Sequence, residues 1–250
     1  GFHGQGVRSD NINLIEVARE KGYYIVYTKE ELQKIPSSAT KLLGIFAEES
    51  TFNDVKEEEQ KAKNLPNYNP TSPSIAEMLN VAIKFLSKEK KQFFIVAEEE
   101  GTDNFSNENN AQATLEALKR ADDAIGVALD FYKKNKNTLI LTAADSDAGG
   151  LSLLGETEIG FPYGKILPAR DKNGAPIDGV AGTETVPFKS APDKTGRQFP
   201  FAISWSTFSD QGGGIVSRAI GLNSNLMNGS IDNTDIYKIM YATLFGKLLK

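Results

Sequence analysis

Residues 138–150 read TLILTAADSDAGG, and the reading of this stretch decides the fold. Thr138-Leu139-Ile140-Leu141 is a short, β-rich apolar run of the kind that forms a buried strand. It gives way at once to small residues, the carboxylates Asp145 and Asp147, and the pair Gly149-Gly150. A buried strand that ends in an acidic, glycine-bounded loop is where open α/β sheets place ligands, in the crevice beyond the strands' carboxyl ends. A second stretch repeats the arrangement: Phe93-Phe94-Ile95-Val96-Ala97 runs into Glu98-Glu99-Glu100-Gly101-Thr102-Asp103. Two strands that end in carboxylates, separated by a helix-length segment, predict an acidic site built across neighbouring strands.

Working outward, residues 11–21 carry Ile12, Leu14, Ile15, Val17 and Ala18 at helical spacing, with Lys21-Gly22 as the stop. Strands are expected at 23–27 and 42–47, and Thr28 with Glu31 reads as a capping box opening a short helix between them. This alternation predicts an α/β fold, a mainly parallel sheet with flanking helices. Residues 48–73 change character: a charge run at 56–63 and then LPNYNPTSP read as a surface loop or insertion. Residues 74–86 form an amphipathic helix with Ser74 as N-cap and Glu77 completing a capping box. Residues 111–134 form a long helix with Leu115, Leu118, Ala121, Ile125 and Leu129 on one face. Residues 151–201, rich in Gly and Pro, read as an irregular subdomain or insertion within a domain spanning 1–250. Beyond it come a strand at Ile203-Ser204-Trp205, a loop at 209–214, a strand at 215–220 and a helix from 234 to 249 capped by Thr234 or Asn233.

Composition narrows the chemistry. A 250-residue chain at 40% hydrophobic content buries a substantial core. A net charge of −5 with acids and bases interspersed argues against a nucleic-acid surface. The absence of cysteine removes disulfides, thiol catalysis and Cys-type zinc sites. No run approaches the roughly 18 apolar residues of a membrane span. The N-terminus GFHGQGVRSD lacks the order of a signal peptide and begins as a piece of a longer chain would. The single histidine, His3, lies near that terminus and reads as an exposed residue without a role, so any chemistry here proceeds without imidazole.

Other features carry two readings. Glu98 and Asp103 sit in one post-strand loop, and Asp145 with its neighbours in another. Grouped carboxylates repel unless a cation or proton relieves them; the competing reading is of solvated loop acids or helix caps. Gly149-Gly150 and Gly212-Gly213-Gly214 either admit an anion or form turns, and neither fits a Walker A or a G-x-G-x-x-G pattern. Trp205 reads as core. Arg218 meets a phosphate or is a structural surface residue.

The order of pieces resembles the C-terminal half of the alkaline phosphatase family. NLIEVAREKGYYIVYTKEEL followed by KLLGIFA resembles the family's helix, KGY, strand and LGLFA strand. PSIAEMLNVAIKFLSK resembles its PSLAEMT-type helix. In the family a strand then ends in V-E-G, followed by I-D and, four residues on, a His; here Glu98 and Asp103 match and Asn107 stands at the His. Asn109-Asn110-Ala111 fits the N-D-A that follows. TLILTAADSDAGGLSL resembles the strand ending T-A-D-H-E-T-G-G, with Asp145 at the metal-binding Asp and Ser146 at its His. Asp210-Gln211-Gly212 stands where the family has H-T-G, so Asp210 replaces the third His, and GSIDNTDIYKIM follows the family's closing helix start.

The resemblance implies a phosphatase mechanism in which two zinc ions activate a serine and the leaving oxygen, with magnesium nearby and a phosphoseryl intermediate. The family's nucleophilic Ser, a further metal-ligating Asp and the phosphate-gripping Arg match nothing in this chain. The remaining set, Glu98, Asp103, Asn107, Asp145, Ser146 and Asp210, is all oxygen. Such a set moves the preference from Zn²⁺ towards Mg²⁺ or Ca²⁺, held weakly or not at all. The expectation is therefore an alkaline phosphatase-like protein of phosphomonoester hydrolase ancestry without independent turnover. Alternatives are a fragment of a longer enzyme that uses oxygen-ligated metals, and a non-catalytic module that binds a hard cation, a phosphorylated small molecule or a protein partner. An exposed sheet edge implies a homodimer or pairing with a missing N-terminal half. The resemblance also implies a periplasmic or extracellular location.

Overall fold

The computed structural model describes residues 8–155 and 167–249; His3 lies outside them. In chain order the elements begin α1 (Leu14–Glu20), β1 (Tyr24–Val26), α2 (Lys29–Leu32), β2 (Leu42–Gly44), α3 (Glu57–Lys63), α4 (Ile75–Ser87), α5 (Gly101–Asn107) and α6 (Ala111–Lys134). They continue with β3 (Leu139–Thr142), β4 (Ser152–Leu154), β5 (Phe188–Lys189), β6 (Pro200–Ser204), β7 (Arg218–Gly221), a 3-10 turn (Ser224–Leu226) and α7 (Asn233–Phe245). The chain forms two compact units, one of Gly1–Asn53 with Pro66–Glu98 and one of Asp54–Leu65 with Glu99–Lys250.

In the first unit the Asn13 side chain caps α1 by accepting from the Ile15 and Glu16 amides. β1 and β2 pair in parallel, Tyr24 opposite Leu42 and Val26 opposite Gly44, with Val26 fully buried. The Ser74–Glu77 capping box forms as expected: the Glu77 amide donates to Ser74 Oγ at 3.3 Å and the Ser74 amide to Glu77 Oε2 at 2.8 Å. Glu77 also receives the Lys29 ammonium at 2.7 Å, which ties α4 to α2. Thr28 caps α2, but Glu31 reaches back one residue further and accepts from the Tyr27 amide at 2.7 Å.

In the second unit β3 and β7 pair antiparallel, Leu139 opposite Gly221 and Thr142 opposite Arg218. β4, β6 and β5 form an antiparallel sheet in that order. Ala111, Ile203 and Trp205 make the buried centre, with Leu151, Phe188 and Phe201 packed against it, and the rings of Phe188 and Phe201 stack at 5.4 Å. Trp205 is core, as expected; Arg218 is exposed.

Several expectations are corrected. Among the described strands parallel pairing is confined to β1 and β2. Residues 93–97 belong to no strand, and Val96 is 77% exposed. Composition there favours a strand, but a ladder also needs a neighbour in register, which composition does not encode. The charge run at 56–63 is helical, not loop: α3 buries Glu57 and Gln60 on one face. The long helix α6 has the expected ends but not the expected face. It buries Ala113, Thr114, Ala117 and Ala124, while Leu118 is 51% exposed, because small side chains allow the closer approach to α5 and α3. α7 is capped by Asp232, one residue before the expected Asn233, in a capping box with Asp235.

Candidate metal centre

Asp103 and Asn107 lie on α5, not in a loop, and a spacing of four residues puts them on one helical face. Asp103 occupies the first turn, where a carboxylate is favoured by the helix dipole. α5 ends after one more turn because Asn109 adopts the left-handed conformation at φ +54°. Its amide donates to Ser106 O at 2.9 Å and the Asn110 amide to Phe105 O at 2.8 Å, the paired bonds of a Schellman ending. Asn110 then caps α6, its Oδ1 accepting from the Ala113 amide at 3.0 Å.

Two loops meet this helix. The loop after β3 carries Asp145 and Ser146, and the loop after β6 carries Asp210. A backbone seam joins them: the Asp147 amide donates to Gln211 O at 2.8 Å and the Gln211 amide to Ala148 O at 2.9 Å. The Ser206 and Thr207 amides donate to Gly149 O at 3.0 and 3.1 Å. The seam is pinned to α5 by the Asn109 side chain, whose Nδ2 donates to Ser106 O at 2.9 Å and Thr207 O at 2.8 Å. Gly149 is where the backbones come closest, since a Cβ there would lie 2.1 Å from Ser106 O. The glycine pair thus serves close packing in a turn, the second of its two readings.

The result is a small polar constellation. Asn107 Nδ2 donates to Asp210 Oδ1 at 2.8 Å and to Asp103 Oδ2 at 3.2 Å, bridging two carboxylates. Ser146 Oγ donates to Asp103 Oδ1 at 3.4 Å and accepts from the Ala148 amide at 3.0 Å. Asn107 Oδ1 is buried with no hydrogen-bond partner. Burial, and after it the charge and hydrogen bond of Asp210, raise the Asp103 carboxyl above its ordinary value; Ser146 opposes this and Asp145 adds to it. Asp145 itself is exposed. Glu98 ends the first unit as an exposed residue outside any helix or strand, whereas the other five candidates belong to the second unit.

Asp103, Asn107, Ser146 and Asp210 are therefore brought together, with Asp145 near enough for its charge to act on Asp103. Among the described residues no group of three or more His, Cys, Asp or Glu side chains is placed to hold a metal ion. The donors that do converge are two carboxylates, a hydroxyl and an amide, and the orphaned Asn107 oxygen is one that a cation would satisfy after rotation of the amide. This chemistry fits a hard cation and lacks the imidazole or thiolate that zinc favours. Sequence reasoning missed the part of Asn109, although Asn is the side chain other than Gly that most readily takes the left-handed conformation where one helix must stop and another start. Nothing in the sequence marks Gln211 as the seam's other half.

An α/β protein with acids and amides gathered where a strand, a helix and a loop meet defines a class of oxygen-donor site. The chain belongs to the alkaline phosphatase family, whose profile matches residues 2–245. The alkaline phosphatase of Escherichia fergusonii is 26% identical over 244 residues, covering 92% of this chain and 47% of its own length. Alkaline phosphatase 3 of Bacillus subtilis is 30% identical over 141 residues, covering 56% of this chain and 28% of its own. The solved alkaline phosphatase of Thermus thermophilus superposes with a TM-score of 0.65 at 22% identity, over 96% of this chain and 59% of that one. A variant of the TAB5 alkaline phosphatase with Mg bound in its M3 site gives 0.63 at 20% identity, over 95% and 56% of the two chains. This chain thus spans about half, or less, of the length of these relatives. Among its described residues no helix is long and apolar enough to cross a membrane.

Proposed function

We propose that this chain is a cation-binding member of the alkaline phosphatase family, of phosphomonoester hydrolase ancestry, that does not hydrolyse phosphomonoesters on its own. The observation that carries the reading is Asn107: its amide holds Asp103 and Asp210 together while its own oxygen stays buried and unpartnered. Asp103, Asp210, Ser146 and, once its amide turns away from the two carboxylates, the Asn107 oxygen would hold Mg²⁺ or Ca²⁺, with Asp145 as a further candidate. Bound there, such an ion supplies positive charge to a phosphoryl oxygen. The chain's own residues keep two carboxylates adjacent, and Ser146 orients one of them. By the resemblance, Asn107, Ser146 and Asp210 stand at the family's three histidine ligands, and the sequence's one imidazole is that of His3. Among the described residues no imidazole stands at the site, which supports the absence of independent turnover by this chain.

Calorimetric titration of metal-stripped protein with Mg²⁺, Ca²⁺, Mn²⁺ and Zn²⁺, beside Asp103→Asn, tests this. Micromolar binding of a hard ion that disappears in the variant supports it; tighter zinc binding, or none of any ion, refutes it. Metal-dependent turnover of p-nitrophenyl phosphate by the purified chain refutes the second half of the proposal. The second reading, a non-catalytic module, differs in what it binds: inorganic phosphate titrated into the cation-loaded protein would give heat. Family membership favours a periplasmic or extracellular site of action, and a homodimer or a longer chain would cover the exposed stretch at 93–97.

A further inference from the structure

The segment Asp54–Leu65, which carries α3, touches two of the parts that build the candidate site, α5 and the loop after β6. Asn104 on α5 donates to Asp54 Oδ2 at 3.2 Å. At the α5–α6 junction Asn110 Nδ2 donates to Val55 O at 3.1 Å and to Gln60 Oε1 at 2.7 Å. The Lys56 ammonium lies 5.0 Å from the ring centre of Phe208, two residues before Asp210. Further along, the segment rests on the turn preceding β5: Thr183 Oγ1 donates to Glu57 Oε1, and Lys61 Nζ donates to Thr183 O at 3.4 Å.

The residue at this second contact is unusual. Asp178 is 2% exposed, and its Oδ1 is buried without a hydrogen-bond partner. Its backbone is fixed by reciprocal bonds with Ile203 of β6, at 3.1 and 2.8 Å. Gly182, at φ +81°, makes room for it: a Cβ there would stand 2.7 Å from Asp178 Oδ1 and 3.4 Å from Glu58 Oε1. Facing Asp178 are Glu57 and Glu58 from α3 and Glu184 and Asp171 from the flanking loops. β6 presents the Ile203 backbone, and the Lys61 ammonium is directed at the Thr183 carbonyl. Five carboxyl groups so placed do not all ionise without cost. Burial first, then the charges of Glu57 and Glu58, push Asp178 up to about 8, and burial raises Glu57.

We propose that residues 54–65 are a proton-held latch on the candidate site: a neutral Asp178 keeps the segment docked, and loss of its proton to solvent base releases it. Release frees Asp54 from Asn104 and Lys56 from Phe208, and so loosens both supports of the Asp103–Asn107–Asp210 group. The latch is independent of whether that group binds a cation.

Hydrogen exchange read by mass spectrometry over peptides covering 54–65, from pH 5 to 9 and corrected for intrinsic rates, tests the latch on the full chain. The opening constant is expected to rise towards tenfold per pH unit and to level off near pH 8, because the docked segment binds one proton more than the released one. Asp178→Asn should flatten the profile. An equal slope in that variant, or a flat wild-type profile, overturns the proposal. A slope that 1 mM Ca²⁺ abolishes also overturns it, since the acids would then be a cation site. If Asp178→Asn does not fold, Glu58→Gln on the exposed side of α3 decides: with one facing charge fewer, levelling should begin at lower pH, and an unmoved profile overturns the latch.

Discussion

Replacing Gly149 by alanine tests the close approach that sets the site. The added Cβ would stand 2.1 Å from Ser106 O and 2.8 Å from Ser106 C, where ordinary contact needs about 3.4 Å. One backbone must therefore retreat by more than about 1 Å, and both are held. Ser106 belongs to α5, and Gly149 O accepts from the Ser206 and Thr207 amides. Overpacking of this kind costs about 1–3 kcal/mol, and each seam bond lost adds about 1 kcal/mol, so a loss of about 3 kcal/mol is expected. Gly149 is not in the left-handed region, so the cost is steric alone. Urea unfolding followed by Trp205 fluorescence reads it, since Trp205 is the only tryptophan and is buried in the same unit. Gly126→Ala is the control: on the exposed side of α6, with nothing within 4 Å of its Cβ, it should gain about 0.5–1 kcal/mol. A Gly149→Ala protein within about 0.5 kcal/mol of wild type would refute the argued contact between the β3 loop and α5.

Three further outcomes follow from named contacts. Ser74→Ala removes the hydroxyl from the α4 capping box and should cost about 1 kcal/mol, read as faster amide exchange in the first turn of α4. Asp103 is held above its ordinary value, so a proton competes with a cation there. Ca²⁺ affinity should be higher at pH 8 than at pH 4, and equal affinities would refute the assignment. Without metal, the folded state holds the Asp103 proton more tightly than the unfolded one. Its contribution to stability therefore falls as pH rises from the ordinary carboxylate value of 3.8 through its own raised value, and is constant above it. Asn107→Ala leaves Asp103 and Asp210 without the bridging amide. It should lower stability at pH 7 by about 1–2 kcal/mol and recover as Asp103 is protonated; urea midpoints at pH 7 and pH 4 compare the two.

Local order was legible wherever the chain itself closes the hydrogen bonds. The ends of α6 follow from Asn110 and the stop after Lys134, and α4 follows from Ser74 and Glu77. What was not legible depends on partners distant in sequence. Helical periodicity put Leu115 and Leu118 on the buried face of α6, but the face buried is that of Ala113, Ala117 and Ala124. The acids at 57–59 looked like a solvated run until Thr183 and Gln112 supplied Glu57 with donors. At the site, the types of residue were readable and their meeting was not. Asn107 and Asp210 are 103 positions apart, and only the family resemblance placed them together. Gly149-Gly150 left open anion approach and turn, and the nearness of Ser106 O decides for the turn.

The pairing of β3 with β7 has a consequence for synthesis. Leu139 finds its ladder partner only at Gly221, some 80 residues later. At about 5–20 residues per second on the ribosome, the TLIL segment emerges roughly 4–16 s before the strand that will cover its edge. β1 and β2 pair across a short connection and close far sooner after leaving the exit tunnel. For those seconds the nascent chain presents an apolar strand with an open edge, the feature that chaperones bind and that aggregates grow from. The hazard of making this protein is therefore concentrated in the same stretch that delivers Asp145 and Ser146 to the site.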